Sequence, residues 1–502
     1  MKKIVLILLS LLLVFSFVAC DNSNDNSTPA SSVGGTSADT SAENEHYSAK
    51  IPAGFELSNK DVIIVTSASV PKDQTTFDFC YNREEMETNV INTAALERVN
   101  YVEELLDCTI TERCLDRWAN EAASVLPNEI NGGTANYYIV SSAVQEASTL
   151  VYQGIYYDLN SLDGLNGLAE PWWDAAFTEA ATIDDKIFFA TGDISFRSRE
   201  TLACMLFNKE MVSQLDLSNP YQLVKDKQWT MDTVLTWSKL ISKDMNDDGK
   251  INYKDKFGIG GQNDNIWSMF YGGGESTVSR QSDGTFKVNL SSEHAVNVAE
   301  SIMALMQNKE YFVCANDYWN ESGYVTSPSE FILTAFLENR CLLLSTSLSN
   351  ISKVREMAVD FGILPMPLYD ENQDEYCSFM NPWAGAVFSI PISLYEDEAE
   401  EAAVLLEILG AEGKNTLIPA YYEVCLQGQS TRDDESIEML DLILETAGCD
   451  SGHIYDWGKV GYNVLHGAIT ASAGTFVSLV QSNQNAIEAG INRTIEAFEE
   501  LG

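Results

Sequence analysis

Residues 137–162 read YYIVSSAVQEASTLVYQGIYYDLNSL, and the start of this stretch decides the fold class. An apolar run from Tyr137 to Val140 stops at the polar pair Ser141 and Ser142. Short, nearly continuous apolar runs predict strands of a sheet that is covered on both faces. Residues 61–66 (DVIIVT) have the same pattern, and residues 84–106 between the two runs place apolar side chains at helical spacing.

The alternation of strand and helix patterns continues to the end of the chain. We expect further strands at 187–190, 203–207, 342–345 and 361–364, and helices at 231–242, 294–307, 329–338, 397–409 and 476–500. Strands that alternate with helices predict an α/β architecture with largely parallel sheets.

The first twenty residues have the pattern of a secretory signal. Lys2 and Lys3 precede an apolar run from Ile4 to Val18, which is too short for a membrane span. Cys20 follows Ala19 as in the lipobox of bacterial lipoproteins, which it resembles, although Phe17 stands where leucine is usual. The resemblance implies cleavage of residues 1–19 and acylation of Cys20, with palmitate among the acyl chains. The alternative is an ordinary signal with an incidental cysteine.

Residues 20–48 are expected to form a flexible stalk. They contain almost no large apolar side chain before Tyr47, and such a composition cannot bury enough surface to fold. The chain is therefore expected at the extracellular face of the cell membrane, which it would touch through its lipid alone.

Composition limits the classes of function. The 502 residues suffice for two sizeable lobes, and 45% of them are hydrophobic, as in a globular protein. A formal net charge of −44 argues against nucleic acid and against binding to anionic lipid. The ten cysteines have no metal-binding spacing. Cys108 and Cys114 are close enough in sequence to form a disulfide, whereas the cysteines within apolar runs are interpreted as small buried side chains.

The order of the segments resembles that of an extracellular solute-binding protein of the ABC-importer, family 1 type, which includes maltose-binding proteins. Besides residues 137–162, the matching stretches are DDKIFFATGDISFRSRETLACMLFNKEMV (184–212), FLENRCLLLSTSLSNI (336–351) and DFGILPMPLYDENQDEYCSFMNPWAGAVFSIP (360–391).

The resemblance implies a monomer with two α/β lobes, of the class II periplasmic-binding-protein type, joined by crossing segments. Lobe 1 would comprise residues 49–200 and 376–415, and lobe 2 residues 201–375 and 416–502. The lobes would close around a solute by hinge motion, and the closed form would dock on the permease of an ABC transporter.

Carbohydrate is the ligand class that the residue types favour. A sugar offers apolar C–H faces to aromatic side chains and a ring of hydroxyls to carboxylates and amides. The chain has nine tryptophans and 21 tyrosines, several of them beside polar residues in expected loops. The candidate ligand residues, some of them placed by the resemblance, are Ser142, Gln145, Trp173, Asp193, Trp267, Trp383, Trp457 and Tyr462.

Each candidate also has a structural explanation. A single tryptophan is more often part of a core than of a site, and an ion pair with Arg197 or Arg199 would account for Asp193 as well as a ligand would. Residues 347–349 (SLS) stand where the family often has tryptophan. The maltodextrin specificity of the best-known relatives is therefore not expected to transfer.

Residues 244–255 (DMNDDGKINYKD) match an EF-hand-like calcium loop. Gly249 at position 6 permits the sharp turn that gathers oxygen ligands. Position 12 holds an aspartate where glutamate is usual. We expect a structural Ca²⁺ ion, and the alternative is a solvated turn. The expected ligands are Asp244, Asn246, Asp248, the carbonyl of Lys250, and Asp255.

No enzyme is expected, although a lipid-anchored glycoside hydrolase would share the export signal, the acidity and the aromatic content. Such an enzyme needs two positioned carboxylates, and 74 acidic residues make pairs uninformative. The four histidines show no metal-ligand spacing, and there is no GxSxG elbow or Walker loop. A lipoprotein that binds peptide or another small solute is the remaining alternative.

Overall fold

The computed structural model describes residues 46–67, 76–84, 86–324, 326–354, 359–426, 434–470 and 475–501. The predicted signal, Cys20 and most of the predicted stalk lie outside these residues. The described residues belong to one compact unit that begins at His46.

The strands of the described residues are β1 (Lys60–Thr66), β2 (Cys108–Cys114), β3 (Ile139–Ala143), β4 (Ala203–Asn208), β5 (Ser242–Lys243), β6 (Lys256–Gly261), β7 (Val278–Arg280), β8 (Phe286–Val288), β9 (Phe312–Cys314), β10 (Cys341–Ser347), β11 (Phe361–Leu364), β12 (Ser378–Phe379), β13 (Ala386–Ser389) and β14 (Ala447–Gly448).

The helices are α1 (Val90–Leu106), α2 (Glu121–Asn131), α3 (Val144–Leu150), α4 (Ala175–Ala181), α5 (Arg197–Glu200), α6 (Lys209–Gln214), α7 (Pro220–Lys225), α8 (Met231–Ser238), α9 (Asn265–Gly272), α10 (Glu293–Met306), α11 (Ser329–Leu337), α12 (Ile351–Val354), α13 (Glu396–Glu412), α14 (Ile418–Leu426), α15 (Asp434–Glu445), α16 (Ser451–Ile454), α17 (Gly467–Thr470) and α18 (Phe476–Glu500).

Local sequence explains where the longer helices begin. The side chains of Asn89, Ser292 and Thr475 each accept a hydrogen bond from the first turn of α1, α10 and α18, respectively, and so satisfy backbone N–H groups that have no partner within the helix. In α18 the apolar stripe predicted from the sequence is the buried face, to which Val480 and Ile487 belong.

The first sheet has the strand order β13-β3-β1-β2. β1 pairs in parallel with β2 and β3, and β13 is antiparallel to β3, with Ala386 opposite Ala143. All four strands come from the ranges expected for lobe 1. Because β13 runs in the opposite direction, its first residue lies at the edge where the three parallel strands end.

The second sheet has the order β11-β4-β10-β6-β5, with β9 also paired to β6. β6, β9 and β10 are parallel, whereas β4, β5 and β11 form antiparallel pairs. The expectation of largely parallel sheets is therefore right for the first sheet and wrong for this mixed one. Its strands all come from the ranges expected for lobe 2, and the exact lobe boundaries remain a prediction.

Two further expectations about local structure are wrong. Residues 187–190 are buried but form only an isolated bridge, between Ala190 and Phe388, because their apolar side chains fill the core without a strand ladder. The predicted Cys108–Cys114 disulfide is also absent. The two residues are the opposite ends of β2, a strand of seven residues, and both thiols are free.

Within the part of the chain that the structure describes, no helix combines the length and the apolar character that crossing a membrane requires.

Candidate functional site

The nine tryptophans all lie in the described ranges, and the three that are exposed are each close in the chain to a strand of one of the two sheets. Trp118 follows β2, Trp319 follows β9, and Trp383 precedes β13, whose start lies at the carboxyl edge of the first sheet. Their exposed fractions are 68%, 55% and 40%. In open α/β sheets, ligands bind outside the carboxyl ends of the strands. Trp118 and Trp383 are therefore placed at the edge where this architecture builds its binding sites.

Trp383 belongs to a group of aromatic rings that joins elements of both sheets. Its ring centroid lies 6.0 Å from that of Tyr462, which in turn lies 5.3 Å from Trp267. Trp267 is buried, and its indole N–H donates to the carbonyl of Gly461 at 2.9 Å. Tyr462 and Trp383 are each about two-fifths exposed, at 39% and 40%. A fixed, buried indole thus supports two rings that solvent or a ligand can reach.

The loop that carries Trp383 is hydrogen-bonded to the first turn of α3. The backbone N–H of Gln145 donates to the carbonyl of Pro382 at 3.2 Å, and that of Val144 to the carbonyl of Gly385 at 3.0 Å. Gln145 is half-buried. These bonds bring Gln145 next to the loop that carries Trp383. Four of the eight candidates from the sequence, Gln145, Trp267, Trp383 and Tyr462, thus come together, and we call this group, with Asp264, the aromatic site.

Asp264 is the residue of this site that the sequence analysis missed. It lies between β6 and α9, three residues before Trp267, and is half-buried. Burial raises the pKa of its carboxyl group, against a hydrogen bond from the side chain of Asn381. The sequence signal was the run Asn263–Asp264–Asn265 directly after a strand end. A carboxylate beside aromatic rings is the combination that binds a sugar face and its hydroxyls together.

The other four candidates lie inside the protein. Ser142 is fully buried in β3. Trp173 donates its indole N–H to Glu407 at 2.9 Å, and Trp457 donates to the Thr494 hydroxyl at 2.7 Å. Burial and internal hydrogen bonding are the structural explanation that the sequence left open for these residues. A direct contact between them and a ligand remains a prediction.

Asp193 is enclosed in a network of charges. One carboxylate oxygen lies 2.8 Å from the Arg199 guanidinium, and the other lies 3.1 Å from the Lys414 ammonium. The side chain is buried, so both oxygens are occupied by protein cations rather than presented to solvent. The ion pair that the sequence offered as an alternative is present here.

Two carboxyl groups that accept hydrogen bonds from hydroxyls, those of Glu112 and Glu146, lie at the carboxyl edge of the first sheet. Glu112 accepts a hydrogen bond from the hydroxyl of Thr66 at 2.9 Å, and burial raises its pKa to about 7. Nearby along this edge, the hydroxyl of Ser67 donates to Glu146 at 2.7 Å. Trp118 follows β2 on the same edge, with the Arg117 guanidinium 5.7 Å from its ring. Sequence reasoning missed Trp118 because its exposure depends on the fold.

The predicted calcium loop is folded by its own side chains. Asp244 accepts from the backbone N–H of Asn246 at 3.1 Å and of Gly249 at 2.7 Å, and the bond from Gly249 lowers its pKa. Gly249 has a φ of 79°, the left-handed conformation that glycine adopts without a steric cost. Asn246 and Asp248 accept from backbone N–H groups two residues further on.

Asp255 is buried within the loop, and its carboxylate binds backbone N–H groups of the loop itself. It has no exposed area and accepts from the N–H groups of Met245 and Asn252 at 2.8 and 3.0 Å. Across the described ranges, no group of three His, Cys, Asp or Glu side chains is arranged to hold a metal ion. The residues have the donor chemistry for calcium, and occupation of the loop remains a prediction.

Comparison with known proteins identifies the fold. No family model matches the chain, and no curated protein matches it in sequence. Among solved structures, the maltose/maltodextrin-binding domain of Bdellovibrio bacteriovorus bound to maltotriose is 16% identical, with a TM-score of 0.52 over 86% of this chain and 100% of that one. This chain has the two-lobe fold of ABC substrate-binding proteins.

Two further structures share this substrate-binding fold. An ABC substrate-binding protein of Listeria monocytogenes in complex with cycloalternan is 12% identical, with a TM-score of 0.54 over 86% of this chain and 99% of that one. The GacH receptor of Streptomyces glaucescens, solved unliganded and with acarbose, has the same identity, TM-score and coverage. The substrate-binding fold agrees with the expected class, in which two α/β lobes are joined by crossing segments around a cleft.

Proposed function

We propose that the protein is an extracellular substrate-binding protein that captures an oligosaccharide between its lobes and delivers it to the permease of an ABC transporter. The observation that carries the proposal is the combination of the substrate-binding fold with the exposed Trp118 and Trp383 at the carboxyl edge of the first sheet. The similar structures bind maltotriose, cycloalternan and acarbose, all of them saccharides or their analogues.

Aromatic placement favours a sugar over a peptide or a small ion. Exposed indoles cost free energy in water unless a ligand covers them, and flat C–H faces of sugars cover them well. Trp118, Trp319 and Trp383 follow or precede different strands, so they offer several stacking platforms rather than one. Several platforms favour an oligosaccharide over a monosaccharide.

The aromatic site supplies the polar contacts that a sugar also needs. Asp264 offers carboxylate oxygens, Asn381 and Gln145 offer amides, and Tyr462 offers a hydroxyl beside the exposed rings. Trp383 comes from a loop of the first sheet, whereas Asp264 follows β6 of the second sheet. A ligand that contacts both residues would therefore touch elements of both sheets. Contacts of this kind stabilise the closed arrangement of the lobes.

Anchoring and transport complete the proposal. Cleavage after Ala19 and acylation of Cys20 would tether a monomer to the extracellular face of the cell membrane, with residues 20–48 as a stalk. The membrane would be contacted through the lipid alone, and the closed lobes would present the surface that the permease binds. The protein is proposed to bind its ligand without changing it, which separates it from a glycoside hydrolase.

A structural calcium ion in the loop 244–255 is a second, independent part of the proposal. Asp244, Asn246 and Asp248 place oxygens on an exposed loop whose glycine turn already exists. Chelation should lower the melting temperature of the wild-type protein, and Asp248→Ala should abolish that response. Wild-type melting that is insensitive to both added Ca²⁺ and chelator would contradict calcium binding.

Calorimetric titration with a panel of oligosaccharides tests the main function. The panel is maltose, maltotriose, maltotetraose, cycloalternan and cello- and xylo-oligosaccharides, and the incubated sugar is afterwards analysed by chromatography. Saturable binding with the sugar recovered intact supports the receptor, whereas shortened products support the hydrolase. Absence of binding by all of these sugars would refute the carbohydrate proposal.

A matched pair of variants locates the ligand on the protein. Trp383→Ala should weaken binding by about tenfold, because stacking of a sugar face on the indole contributes about 1.5 kcal/mol. Tyr395→Ala is the control, since Tyr395 is 78% exposed at the start of α13 and outside the aromatic site. Equal affinities for both variants and the wild type would place the ligand elsewhere.

A further inference from the structure

His453 is a buried histidine that adjoins the aromatic site. It lies in α16, with 5% of its surface exposed. Its ring centroid is 5.7 Å from that of Trp267 and 5.1 Å from that of Phe379. Trp267 belongs to α9, whereas Phe379 ends β12, four residues before Trp383. The imidazole therefore links Trp267 to residues 379–383, which we call the Trp383 segment.

Asp450 fixes the orientation of this ring. Its carboxylate accepts a hydrogen bond from Nδ1 of His453 at 3.0 Å. The same carboxylate accepts from the backbone N–H of His453 at 3.0 Å, and from the N–H and the hydroxyl of Thr277 at 3.0 and 2.7 Å. Burial raises the pKa of Asp450, but the nearby His453 and these hydrogen bonds outweigh burial and hold the pKa below its usual value. Because an ionised carboxylate only accepts, Nδ1 of His453 carries a proton and the plane of the imidazole is set.

The backbone before Asp450 is attached to the strand that carries Phe379. β14 ends two residues before Asp450 and pairs in parallel with β12, where Gly448 lies opposite Phe379. The N–H of Met380 donates to the carbonyl of Gly448 at 2.8 Å. The position of the imidazole relative to Phe379 is therefore set by backbone hydrogen bonds as well as by packing.

The second ring nitrogen of His453 does not contribute a hydrogen bond. Nε2 is buried and has no partner among the residues that the structure describes. A buried polar atom without a partner lowers the free energy of unfolding, and such a group calls for an explanation. Stability alone therefore explains this histidine poorly, and its contact with the aromatic site offers a better reason.

Two rings bridge Trp267 to the Trp383 segment. His453 contacts Phe379 at the start of the segment, and Tyr462 contacts Trp383 at its end, with ring centroids 6.0 Å apart. Tyr462 also lies 5.3 Å from Trp267. A ligand can reach Tyr462, which is 39% exposed, but not the buried His453. One bridge thus belongs to the exposed part of the site, and the other supports the site from behind.

We infer that His453 is a positioning residue of the aromatic site, which holds the indole of Trp267 and the Trp383 segment at the separation that ligand binding requires. Asp450 acts through it by setting the orientation of the imidazole. The inference rests on the proposed function and deepens it, because it adds to the exposed rings a buried residue that contacts no ligand. The ring of His453 carries the effect on affinity, and the hydrogen bond to Asp450 contributes to stability.

Two substitutions separate the ring from the hydrogen bond. His453→Asn keeps an N–H donor near the position of Nδ1 but has no ring, whereas His453→Phe keeps a ring and loses the donor. Calorimetric titration of the purified protein with maltotriose, maltotetraose and cycloalternan identifies the probe that the wild type binds best. For that probe, His453→Asn should lower the affinity by about tenfold, because two ring contacts are lost. His453→Phe should restore the affinity to within about threefold of the wild type, although its melting temperature should be lower.

The indole proton of Trp267 reports the same effect without a ligand. It donates to the carbonyl of Gly461 at 2.9 Å, and Trp267→Phe identifies its signal in a nitrogen-proton spectrum of protein labelled at tryptophan. Exchange of this proton with solvent should be about tenfold faster in His453→Asn than in the wild type, because the indole is less firmly held. An unchanged exchange rate in His453→Asn would overturn the inference.

Phe336→Leu is the matched control. Phe336 is a fully buried ring that packs on Phe361 of β11, at 6.5 Å between centroids, outside the aromatic site. This variant should melt at a lower temperature and bind the probe as the wild type does. Affinities that follow the melting temperatures of the three variants would overturn the positioning role and leave His453 a structural residue. Failure of the wild type to bind any probe would overturn the proposed function, and the exchange rate of the Trp267 indole proton would then decide whether His453 holds that ring.

Discussion

The carboxyl group of Glu407 should make the stability of this protein depend on pH. Glu407 lies in α13 with 4% of its surface exposed, and it accepts hydrogen bonds from the indole N–H groups of Trp172 and Trp173 at 2.8 and 2.9 Å. Burial raises its pKa from 4.5 to about 7, although the two indole bonds act in the opposite direction. The folded state therefore holds this proton more tightly than the unfolded chain does.

The sign of the effect follows from that difference. The contribution of protonated Glu407 to the free energy of unfolding is complete below about pH 4.5. It is lost as the pH rises through about 7, because the folded protein must then hold a buried charge. A difference of about 2.5 pH units at about 1.4 kcal/mol per unit gives about 3.5 kcal/mol as the upper limit of the loss. Glu407→Gln removes the titrating group. It should lower the free energy of unfolding by about 1 kcal/mol, because the amide NH2 of glutamine cannot accept a hydrogen bond from one of the two indole N–H groups.

Urea denaturation followed by tryptophan fluorescence at several pH values measures this effect. Between pH 4.5 and 8.5, the free energy of unfolding of the wild type should fall by about 3 kcal/mol relative to that of Glu407→Gln. Glu396→Gln is the control, since Glu396 is exposed at the start of the same helix. A constant difference between the wild type and Glu407→Gln over this range would refute the reasoning.

Three substitutions test other parts of the structure. Lys186→Met should lower the free energy of unfolding by about 2 kcal/mol, measured in urea, because the ammonium donates to two carbonyls at the end of α18; an unchanged midpoint would contradict this role. Thr494→Val should cost about 2 kcal/mol by leaving the buried Trp457 indole N–H without its acceptor, while Thr494→Ser should not. Gly413→Ala should reduce the yield of folded protein or lower the free energy of unfolding by about 3 kcal/mol, because a Cβ there would overlap the carbonyl oxygen of Asp193. A wild-type melting temperature would contradict this expectation and show that the backbone can move.

Much of the fold could be predicted from local sequence. The helix expected at 476–500 is α18, with the same bounds, and the strand expected at 61–66 is β1 with one further residue. The helix has a long apolar stripe and the strand has a nearly continuous apolar run, and the sequence displays both directly. The segment 187–190 shows the opposite case, since an apolar run records burial but not whether the backbone forms a ladder.

The candidate site could be predicted only in part. Gln145, Trp267, Trp383 and Tyr462 come together as a group with two exposed rings, whereas Trp457 and Trp173 have similar sequence surroundings but donate their indole N–H groups to partners inside the protein. Their hydrogen-bond acceptors lie far away along the chain: the acceptor of Trp173 is separated from it by 234 residues. No local pattern records such a partner.

The sequence by itself determined the alternation of strands and helices, the helix caps and the supply of aromatic residues, because each depends on side chains within a few positions of one another. Tertiary structure decided which tryptophans are exposed and that Asp264 adjoins the aromatic rings. The physical reason is that exposure and pairing depend on which distant segments cover a side chain, and strand order sets that covering.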